Sequence, residues 1–319
     1  MRVRPLRLLD LVPLASFLRR GGTSELTAHT WPGVEPDSGP VPYASLLAGA
    51  IARGSRGRRA WVARDARDLA GLAVARPRAG GLAWDAEHVY LAEGEDDLAC
   101  ALLDEAVAVA GAHGARRVFL TTPERGAAGD LARRAAFDRF SQQALYVLPP
   151  GFRVERTDLF EARPRLRADE QPLFQLFTAA VPAGVRAAEA LTPEEWAGLY
   201  TGARPWRPSL TGTRQQFVWE LGASLVGWME VTFGQRSQFV ELLVHPRYED
   251  AADRLVRWAL LQVSPKAPVY LAVREYQPAL ASAVDRAGFR EAGRYTLFVK
   301  MLAVRVREPR LVPAGVAGA

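Results

Sequence analysis

An apolar run, a short polar turn and an amphipathic segment follow one another between Val240 and Leu260. The apolar run is typical of a strand, and the segment after the turn has apolar residues at the period of a helix. These apolar positions are Ala252, Leu255, Val256, Ala259 and Val263. Asp253 and Arg257 lie one turn apart on the opposite face of this helix, where they can pair.

A strand followed by a turn and a helix N-terminus is a frequent phosphate site, because the first N–H groups of the helix and its dipole favour an anion. Such turns are usually rich in glycine, which lets the backbone approach the ligand closely. The turn after Val244 contains no glycine and carries Glu249 and Asp250 instead. The pattern therefore predicts the architecture of a phosphate site without its usual residues.

The first half of the chain resembles the second. The segment Val3 to Phe17 is similar to the segment Ala162 to Leu176, and the matched residues keep the spacing that separates Asp10 from Asp169. The matched pairs are Arg4 and Arg163, Pro5 and Pro164, Asp10 and Asp169, Pro13 and Pro172, and Leu14 and Leu173. Both segments predict a short strand, a turn and a helix, with the aspartate suited to the helix N-cap.

Similar segments continue along both halves, each predicting a strand, helices, three strands, a helix, a strand, a helix and a final strand. This order favours an α/β (α+β) fold with a largely antiparallel sheet and one parallel crossover in each half. We predict a first domain at residues 1–149, a linker at 150–158, a second domain at 159–304 and an unpatterned tail at 305–319.

Composition narrows the class of protein. Hydrophobic content of 49% and charged content of 24% are those of an ordinary globular protein. No apolar run approaches the roughly 20 residues of a membrane helix, and the N-terminus lacks the apolar core of a signal peptide. A single cysteine, Cys100, excludes an internal disulfide, so we expect a cytoplasmic protein without membrane partners.

Charge and histidine content argue against two further classes of site. The net charge is +6, but the densest basic cluster, residues 53–59, has no interleaved aromatic residues, so a nucleic acid is not an expected partner. The four histidines are far apart in sequence, and no metal site is expected. Cys100 has no histidine or aspartate at a suggestive spacing and is expected to be a small helix residue.

The order of elements resembles that of the GCN5-related N-acetyltransferase (GNAT) family, here as a tandem pair that covers nearly the whole chain. The residues that carry the resemblance are Val244–Tyr248 after the fourth strand of the second half, Pro268–Val273 as the fifth strand, and Asp285–Phe289 at the end of the next helix. The resemblance implies a splayed sheet whose cleft holds acetyl-CoA or another acyl-CoA. It also implies direct acyl transfer to an amine acceptor, with no metal and no covalent enzyme intermediate.

In the family, amides of the turn after the fourth strand cradle the pyrophosphate, and main-chain groups of that strand hold the pantetheine. The resemblance therefore implies a set of cofactor-binding positions, which are Leu243, Val244, His245, Arg247, Asp250, Ala251, Ala252 and Gln277. One register of the family motif puts Asp250 where the first glycine belongs. A register anchored on residues 245–248 puts Glu249 at the arginine position, so an acid enters the turn in either case.

Catalysis in the family needs a proton acceptor for the amine and often a tyrosine that protonates the leaving thiolate. The candidates for the acceptor are Glu241 and Glu230 on the fourth and third strands, with His245 as an alternative. Outward-facing strand acids are also common, so the direction of these side chains decides their role. The family's tyrosine position is Val284, and Tyr276 is the candidate to replace it.

Two functions remain open from the sequence. The first is an acyl-CoA-dependent N-acyltransferase, with the second half as the better candidate because the matching turn of the first half, residues 93–97, contains four acids. The second is a non-catalytic GNAT-like protein that binds a small molecule or a partner, which the missing glycines and tyrosine favour. The sequence names neither the acceptor amine nor the oligomeric state.

Overall fold

The structure is a computed structural model. It describes residues 2–19, 23–27, 57–64, 68–78, 80–154, 162–189, 196, 213–234 and 236–303. Part of the basic cluster (53–56), part of the predicted linker (155–158) and the predicted tail (305–319) lie outside the described residues.

The described elements of the first half follow the predicted order, with one additional short strand, β2. They are β1 (Arg2–Pro5), a 3-10 turn (Leu8–Asp10), α1 (Leu11–Arg19), β2 (Thr23–Glu25), β3 (Arg59–Arg64), β4 (Leu69–Pro77), β5 (Ala83–Ala92), α2 (Asp97–Ala112), β6 (Arg117–Pro123), α3 (Ala128–Arg134) and β7 (Asp138–Leu148).

The second half repeats this order, without a counterpart of β2 among the described residues. Its described elements are β8 (Ala162–Pro164), a 3-10 turn (Arg167–Asp169), α4 (Glu170–Ala180), α5 (Ala183–Glu189), β9 (Thr213–Leu221), β10 (Ser224–Phe233), β11 (Gln238–Val244), a 3-10 helix (Pro246–Ala251), α6 (Ala252–Leu261), β12 (Val269–Arg274), α7 (Pro278–Arg286) and β13 (Arg290–Met301).

All described strands belong to one continuous sheet in the order β1-β3-β4-β5-β6-β13-β7-β12-β11-β10-β9-β8, with β2 beside β5. The pairs β5–β6 and β11–β12 are parallel, and the other strand pairs are antiparallel. The predicted mixed fold, mostly antiparallel with one parallel crossover in each half, is confirmed.

The sequence did not predict that the two halves exchange their last strands. β13, from the second half, lies between β6 and β7, and β7, from the first half, lies between β13 and β12. β7 and β13 pair antiparallel, so that Arg290 opposes Val147 and Val299 opposes Asp138. This register relates the two strands by a pseudo-twofold axis at the centre of the sheet.

The exchanged strands also supply core residues to the opposite half. Phe298 of β13 is fully buried in the cluster that α2 and α3 form on the first half, together with Leu131 and Phe137. Tyr146 and Leu148 of β7 belong to the cluster that contains α6 and α7. Each hydrophobic core is therefore completed by a strand from the other half.

The matched Arg-Pro and Asp residues of the two halves form the same structure. Arg4 donates two hydrogen bonds of 2.6 and 2.7 Å to the carboxylate of Asp10, and Arg163 donates two of 2.7 Å to Asp169. Each aspartate also accepts the N–H of the residue three positions before it, at 2.8 and 2.6 Å. Asp169 stands at the N-cap position of α4, as predicted, but its carboxylate makes no capping hydrogen bond there, because it is bound to the arginine and to the preceding turn.

The prediction that Asp253 pairs with Arg257 is also wrong. The carboxylate of Asp253 accepts two hydrogen bonds from Arg286 of α7, at 2.9 and 2.7 Å, while Arg257 reaches the main-chain carbonyl of Asp253 at 3.4 Å. The bidentate geometry of an arginine from the neighbouring helix matches the carboxylate better than a partner on the same helix.

The strand exchange predicts that a truncation in β13 weakens the first half. Phe298→Ala removes a fully buried ring from the core of α2 and α3 and is expected to cost about 3–5 kcal/mol. Hydrogen exchange should then show faster opening in α2 and α3. Phe289→Ala, in the core of α6 and α7, is the matched control and should affect those helices first. Faster exchange of α6 and α7 in Phe298→Ala would contradict the exchanged packing.

The Arg–Asp pairs predict a shared dependence of stability on pH. The hydrogen bonds from Arg4 and Arg163 hold the pKa of Asp10 and of Asp169 below the usual 3.8. A carboxyl whose pKa is lowered by folding stabilises the protein above pH 3.8 and loses that contribution as the pH falls through its folded-state pKa.

Asp10→Ala and Asp169→Ala should each lower the free energy of unfolding by about 2–3 kcal/mol at pH 7, since each removes a buried carboxylate that accepts three hydrogen bonds. The difference from wild type should shrink towards pH 3 in urea titrations. Asp104→Ala, which removes an exposed partner of Lys300, is the control and should cost about 1 kcal/mol or less. Equal losses at pH 7 and pH 3 would contradict the role of the charge.

Candidate functional site

The parallel strands β11 and β12 separate before they end. They are paired only from Gln238 opposite Val269 to Val240 opposite Leu271, although β11 continues to Val244 and β12 to Arg274. The N–H of Gln238 donates to Pro268 O at 3.0 Å, so every second residue of β11 turns its main chain towards β12. Leu242 and Val244 therefore direct their main-chain groups into the opening between the strands.

Gln277 bridges this opening. Its side-chain Nε2 donates to the carbonyl of Leu242 at 3.2 Å, and its Oε1 accepts the N–H of Arg274 at 3.1 Å. One amide thus satisfies main-chain groups on both diverging strands. The sequence places Gln277 beside the cofactor only by resemblance, and the structure adds that its side chain spans the opening itself.

The turn after β11 is a short 3-10 helix, Pro246–Ala251, and not an open loop. Its amides are partly used locally, because Tyr248 N donates to His245 O at 2.8 Å, and Ala252 N at the start of α6 donates to Glu249 O. Among the described non-glycine residues only Ala136 has a positive φ, so the backbone of this turn needs no glycine.

The predicted cofactor residues of this turn divide into two groups. Arg247 and Asp250 are exposed at the end of β11, as is Glu249. Ala251 and Ala252 are buried, the first against Trp219 and Val226 and the second in the core of α6 and α7. The small residues are thus explained by packing, and the exposed charges face the solvent beside the opening.

His245 is held in one tautomer. Its Nδ1 accepts the N–H of Arg247 at 3.1 Å, at the start of the 3-10 helix. Burial, and then the charge of Arg247, lower the pKa of His245 below its usual 6.5. With the Nδ1 lone pair occupied, the neutral ring carries its proton on Nε2. Neither ring nitrogen can therefore accept a proton in this conformation, which disfavours His245 as a base.

Glu230 and Glu241 face each other across β10 and β11. Side chains that are directly opposite on antiparallel strands have Cβ atoms about 4.5–5.5 Å apart. Glu230 is buried and its carboxylate accepts Gln216 Nε2 at 2.5 Å, whereas Glu241 is half-buried and lies nearer the opening. The structure therefore brings the two carboxylate candidates together as a pair.

The carboxylate pair and Tyr276 lie on the same face of the sheet. Trp228 is two residues from Glu230 and Leu243 is two residues from Glu241, so their side chains lie on the same face as the glutamates. Both pack in the cluster formed by α4 and α5, and Tyr276 packs against that cluster. The opposite face is covered by α6 and α7. All three catalytic candidates are thus on one side of the opening.

Gln216 is a site residue that the sequence analysis missed. It lies on β9 directly opposite Glu230, accepts a hydrogen bond of 2.8 Å from Arg165 Nη1 and donates to the Glu230 carboxylate. The strand signal for β9 was present in the sequence, but the pairing register that puts Gln216 beside a buried acid is a tertiary property.

The corresponding opening in the first half has its strand edge covered. β5 and β6 pair from Ala83 opposite Arg117 to Ala86 opposite Leu120, after which β2 lies along β5, with Glu25 opposite Tyr90. Since β4 pairs with the other edge of β5, β2 occupies the edge that faces the opening. Among the described strands, none occupies the same position on β11.

Two further properties concern the described residues alone. They contain no group of three or more histidine, cysteine, aspartate or glutamate side chains that could hold a metal ion. No helix within them has the length and apolar character needed to cross a membrane.

Comparison with solved structures shows the fold. The structure is similar to "GCN5-related N-Acetyltransferase from Sphaerobacter thermophilus", with a TM-score of 0.56 and 14% identity over 94% of this chain and 95% of that one. It is also similar to a "Tandem GNAT protein from the clavulanic acid biosynthesis pathway", with a TM-score of 0.53 and 14% identity over 94% of this chain and 98% of that one.

A third similar structure is a protein described as functionally unknown from Staphylococcus epidermidis, with a TM-score of 0.52 and 9% identity over 76% of this chain and 93% of that one. Comparisons of the sequence with protein-family models and with curated proteins give no match. The chain thus has the tandem fold of GCN5-related N-acetyltransferases, as the sequence resemblance predicted.

Proposed function

We propose that this protein is an acyl-CoA-dependent N-acyltransferase of the cytoplasm that works through the opening between β11 and β12, with acetyl-CoA as the first co-substrate to test. The observation that carries the proposal is the strand edge at Leu242 and Val244, which faces the opening in a fold shared with acetyltransferases. The domain boundary near residue 150 is part of the same proposal.

The second half is proposed to hold the co-substrate. An extended pantetheine chain can hydrogen-bond along β11 as an added strand does, through the main chain of Leu242 and Val244. Gln277 can release the carbonyl of Leu242 and keep its bond to Arg274 N. Arg247, exposed beyond the end of β11, is the cation available to the pyrophosphate, while in the first half β2 already covers the matching edge.

The acyl transfer needs a neutral amine, an activated thioester and a proton for the leaving sulfur. We assign proton acceptance to Glu241, which is less buried than Glu230, and the orientation of the pair to Glu230, which is held by Gln216. Main-chain N–H groups of β11 polarise the thioester carbonyl. Tyr276, on the same face, donates the proton that the departing sulfur takes up.

The alternative is a GNAT-like binding protein without catalysis. It is favoured by the 3-10 helix after β11, which uses part of its amides internally and presents Glu249 and Asp250 where a pyrophosphate would bind. A carboxylate about 5 Å from a phosphate group is repelled by roughly 1 kcal/mol or more at intermediate dielectric. Binding of acetyl-CoA separates the two functions.

We expect acetyl-CoA titrated into the protein to bind with micromolar to submillimolar affinity by calorimetry. Arg247→Ala should weaken binding about five- to tenfold through loss of a phosphate contact, whereas Asp250→Asn should strengthen it a few-fold by removing repulsion. Arg257→Ala, on the exposed side of α6, is the matched control and should bind as wild type does. No heat of binding at millimolar acetyl-CoA would refute the enzyme proposal.

Glu241→Gln should lower kcat by about 100-fold, because a positioned general base contributes roughly 10²–10⁴-fold. The affinity for acetyl-CoA should stay unchanged, since the side chain acts on the amine. Release of CoA thiol from acetyl-CoA with a panel of primary amines measures the rate. Glu220→Gln, an exposed acid on β9, is the control and should retain wild-type turnover. Full activity in Glu241→Gln would exclude this residue as the base.

A further inference from the structure

A cavity of about 850 Å³ lies at the end of the first half of the sheet. Its walls are Glu25 at the end of β2, Thr27 just after it, residues 123–125 at the end of β6, and residues 291–295 at the start of β13. The volume is in the range of small-molecule sites, about 300–1,000 Å³. Because β13 comes from the second half, the strand exchange forms this cavity from both halves of the chain.

The pseudo-twofold axis gives an internal reference for this cavity. β7 has a bulge at Phe140 and β13 has one at Ala292. The pseudo-twofold axis between the two strands superimposes these two positions, so Phe140 and Ala292 are equivalent residues. Phe140 fills its side of the sheet and packs edge-on against Phe119 at 5.8 Å. Ala292 is a methyl group at the equivalent place and lines the cavity. The first half therefore has open space where the second half has an aromatic ring.

One pair of equivalent positions also has opposite charges, while another is an acid in both halves. At the end of β12, the Glu275 carboxylate is neutralised by Arg139 at 2.6 Å and accepts the N–H of Gln142 at 3.0 Å. Glu124 is its equivalent at the end of β6, since Glu124 N donates to Arg294 O as Glu275 N donates to Gln142 O. The residue equivalent to Arg139 on β13 is Glu291, an acid that lines the cavity with Glu124.

Arg294 is paired with Glu291, and the charge of Glu124 acts on Arg294 without an ion-pair contact. Arg294 donates two hydrogen bonds of 2.8 Å to the Glu291 carboxylate, and the charge of Arg125 further stabilises that carboxylate. Glu124 accepts a hydrogen bond from the neutral amide of Gln142 at 3.2 Å, and within the described part of the chain no guanidinium is in ion-pair contact with it. Its carboxylate is exposed at the mouth of the cavity.

The floor of the cavity is a neutral hydroxyl group. Tyr295 is buried, and burial raises the pKa of its phenol to about 12, so it stays protonated at physiological pH. A Cβ atom at Gly293 would lie 3.1 Å from the Tyr295 hydroxyl oxygen, so the glycine lets this hydroxyl approach the backbone closely. The cavity thus offers a polar floor that carries no charge and a mouth with an acidic excess.

We propose that this composite cavity is a second binding site, for a small organic cation with a primary ammonium or guanidinium group, whose charge pairs with Glu124 and whose body occupies the space beside Ala292. The site is separate from the opening between β11 and β12. A guanidinium or ammonium group would neutralise the Glu124 carboxylate as Arg139 neutralises the Glu275 carboxylate.

Agmatine, which carries both cationic groups, tests the proposal by calorimetry on the full-length protein. We expect a dissociation constant in the millimolar range or tighter and no binding of L-glutamate. Glu124→Gln should weaken agmatine binding about tenfold, since it removes the paired charge, and Ala292→Phe should abolish binding by filling the cavity as Phe140 does. Glu275→Gln, the matched position in the second half, should bind as wild type does.

Three outcomes would overturn the proposal: no agmatine binding up to about 10 mM, a limit that corresponds to a very weak site, unchanged affinity in both Glu124→Gln and Ala292→Phe, or binding of L-glutamate in place of agmatine. If Ala292→Phe disturbs folding, Glu124→Gln still tests the site, because Glu124 is exposed and its substitution leaves the core unchanged. Acetyl-CoA titrated into the same variants reports on the opening between β11 and β12, so failure of either site is seen separately.

Discussion

The antiparallel pairing of β7 with β13 is the interaction on which the rest of the structure depends. It places the last strand of each half inside the sheet of the other, and with each strand go core residues such as Phe298 and Tyr146. Strand pairing and apolar burial therefore act at the same place, and both cores rely on one contact surface. The openings between β5 and β6 and between β11 and β12 also depend on this pairing, because β6 is paired with β13 and β12 with β7.

The sequence predicted the order of elements well, because strands and helices differ in hydrophobic period and the Arg4–Asp10 motif recurs as Arg163–Asp169. It could not predict the exchange of β7 and β13, since an alternating strand pattern defines which face is buried and not which strand lies beside it. The same limit applies at the site. Glu230 and Glu241 were identifiable as strand acids, but their pairing, the support from Gln216 and the bridge made by Gln277 follow from register. The 3-10 turn explains the missing glycines, since its backbone has no positive φ.

The two halves share the order of their main elements but differ at β2 and in side chains. β2 covers the edge of β5 in the first half, whereas the matching edge of β11 faces an opening. The side chains on β7 and β13 also differ. In the second half, Phe140 fills the space on the sheet and Arg139 neutralises Glu275. In the first half, the equivalent residues are the small Ala292 and the acid Glu291. The two halves therefore differ both in the strand edge that is accessible and in the side chains at equivalent positions of β7 and β13.

The strand exchange has a consequence for the synthesis of the chain. When residues 1–149 have left the ribosome, the first half has its described helices α1–α3 but lacks the neighbour for β6, because that neighbour is β13 of the second half. Strand edges without a partner promote association with other chains, and nascent domains with incomplete sheets are prone to it. The sheet of the first half is therefore completed only after β13, residues 290–301, has been synthesised.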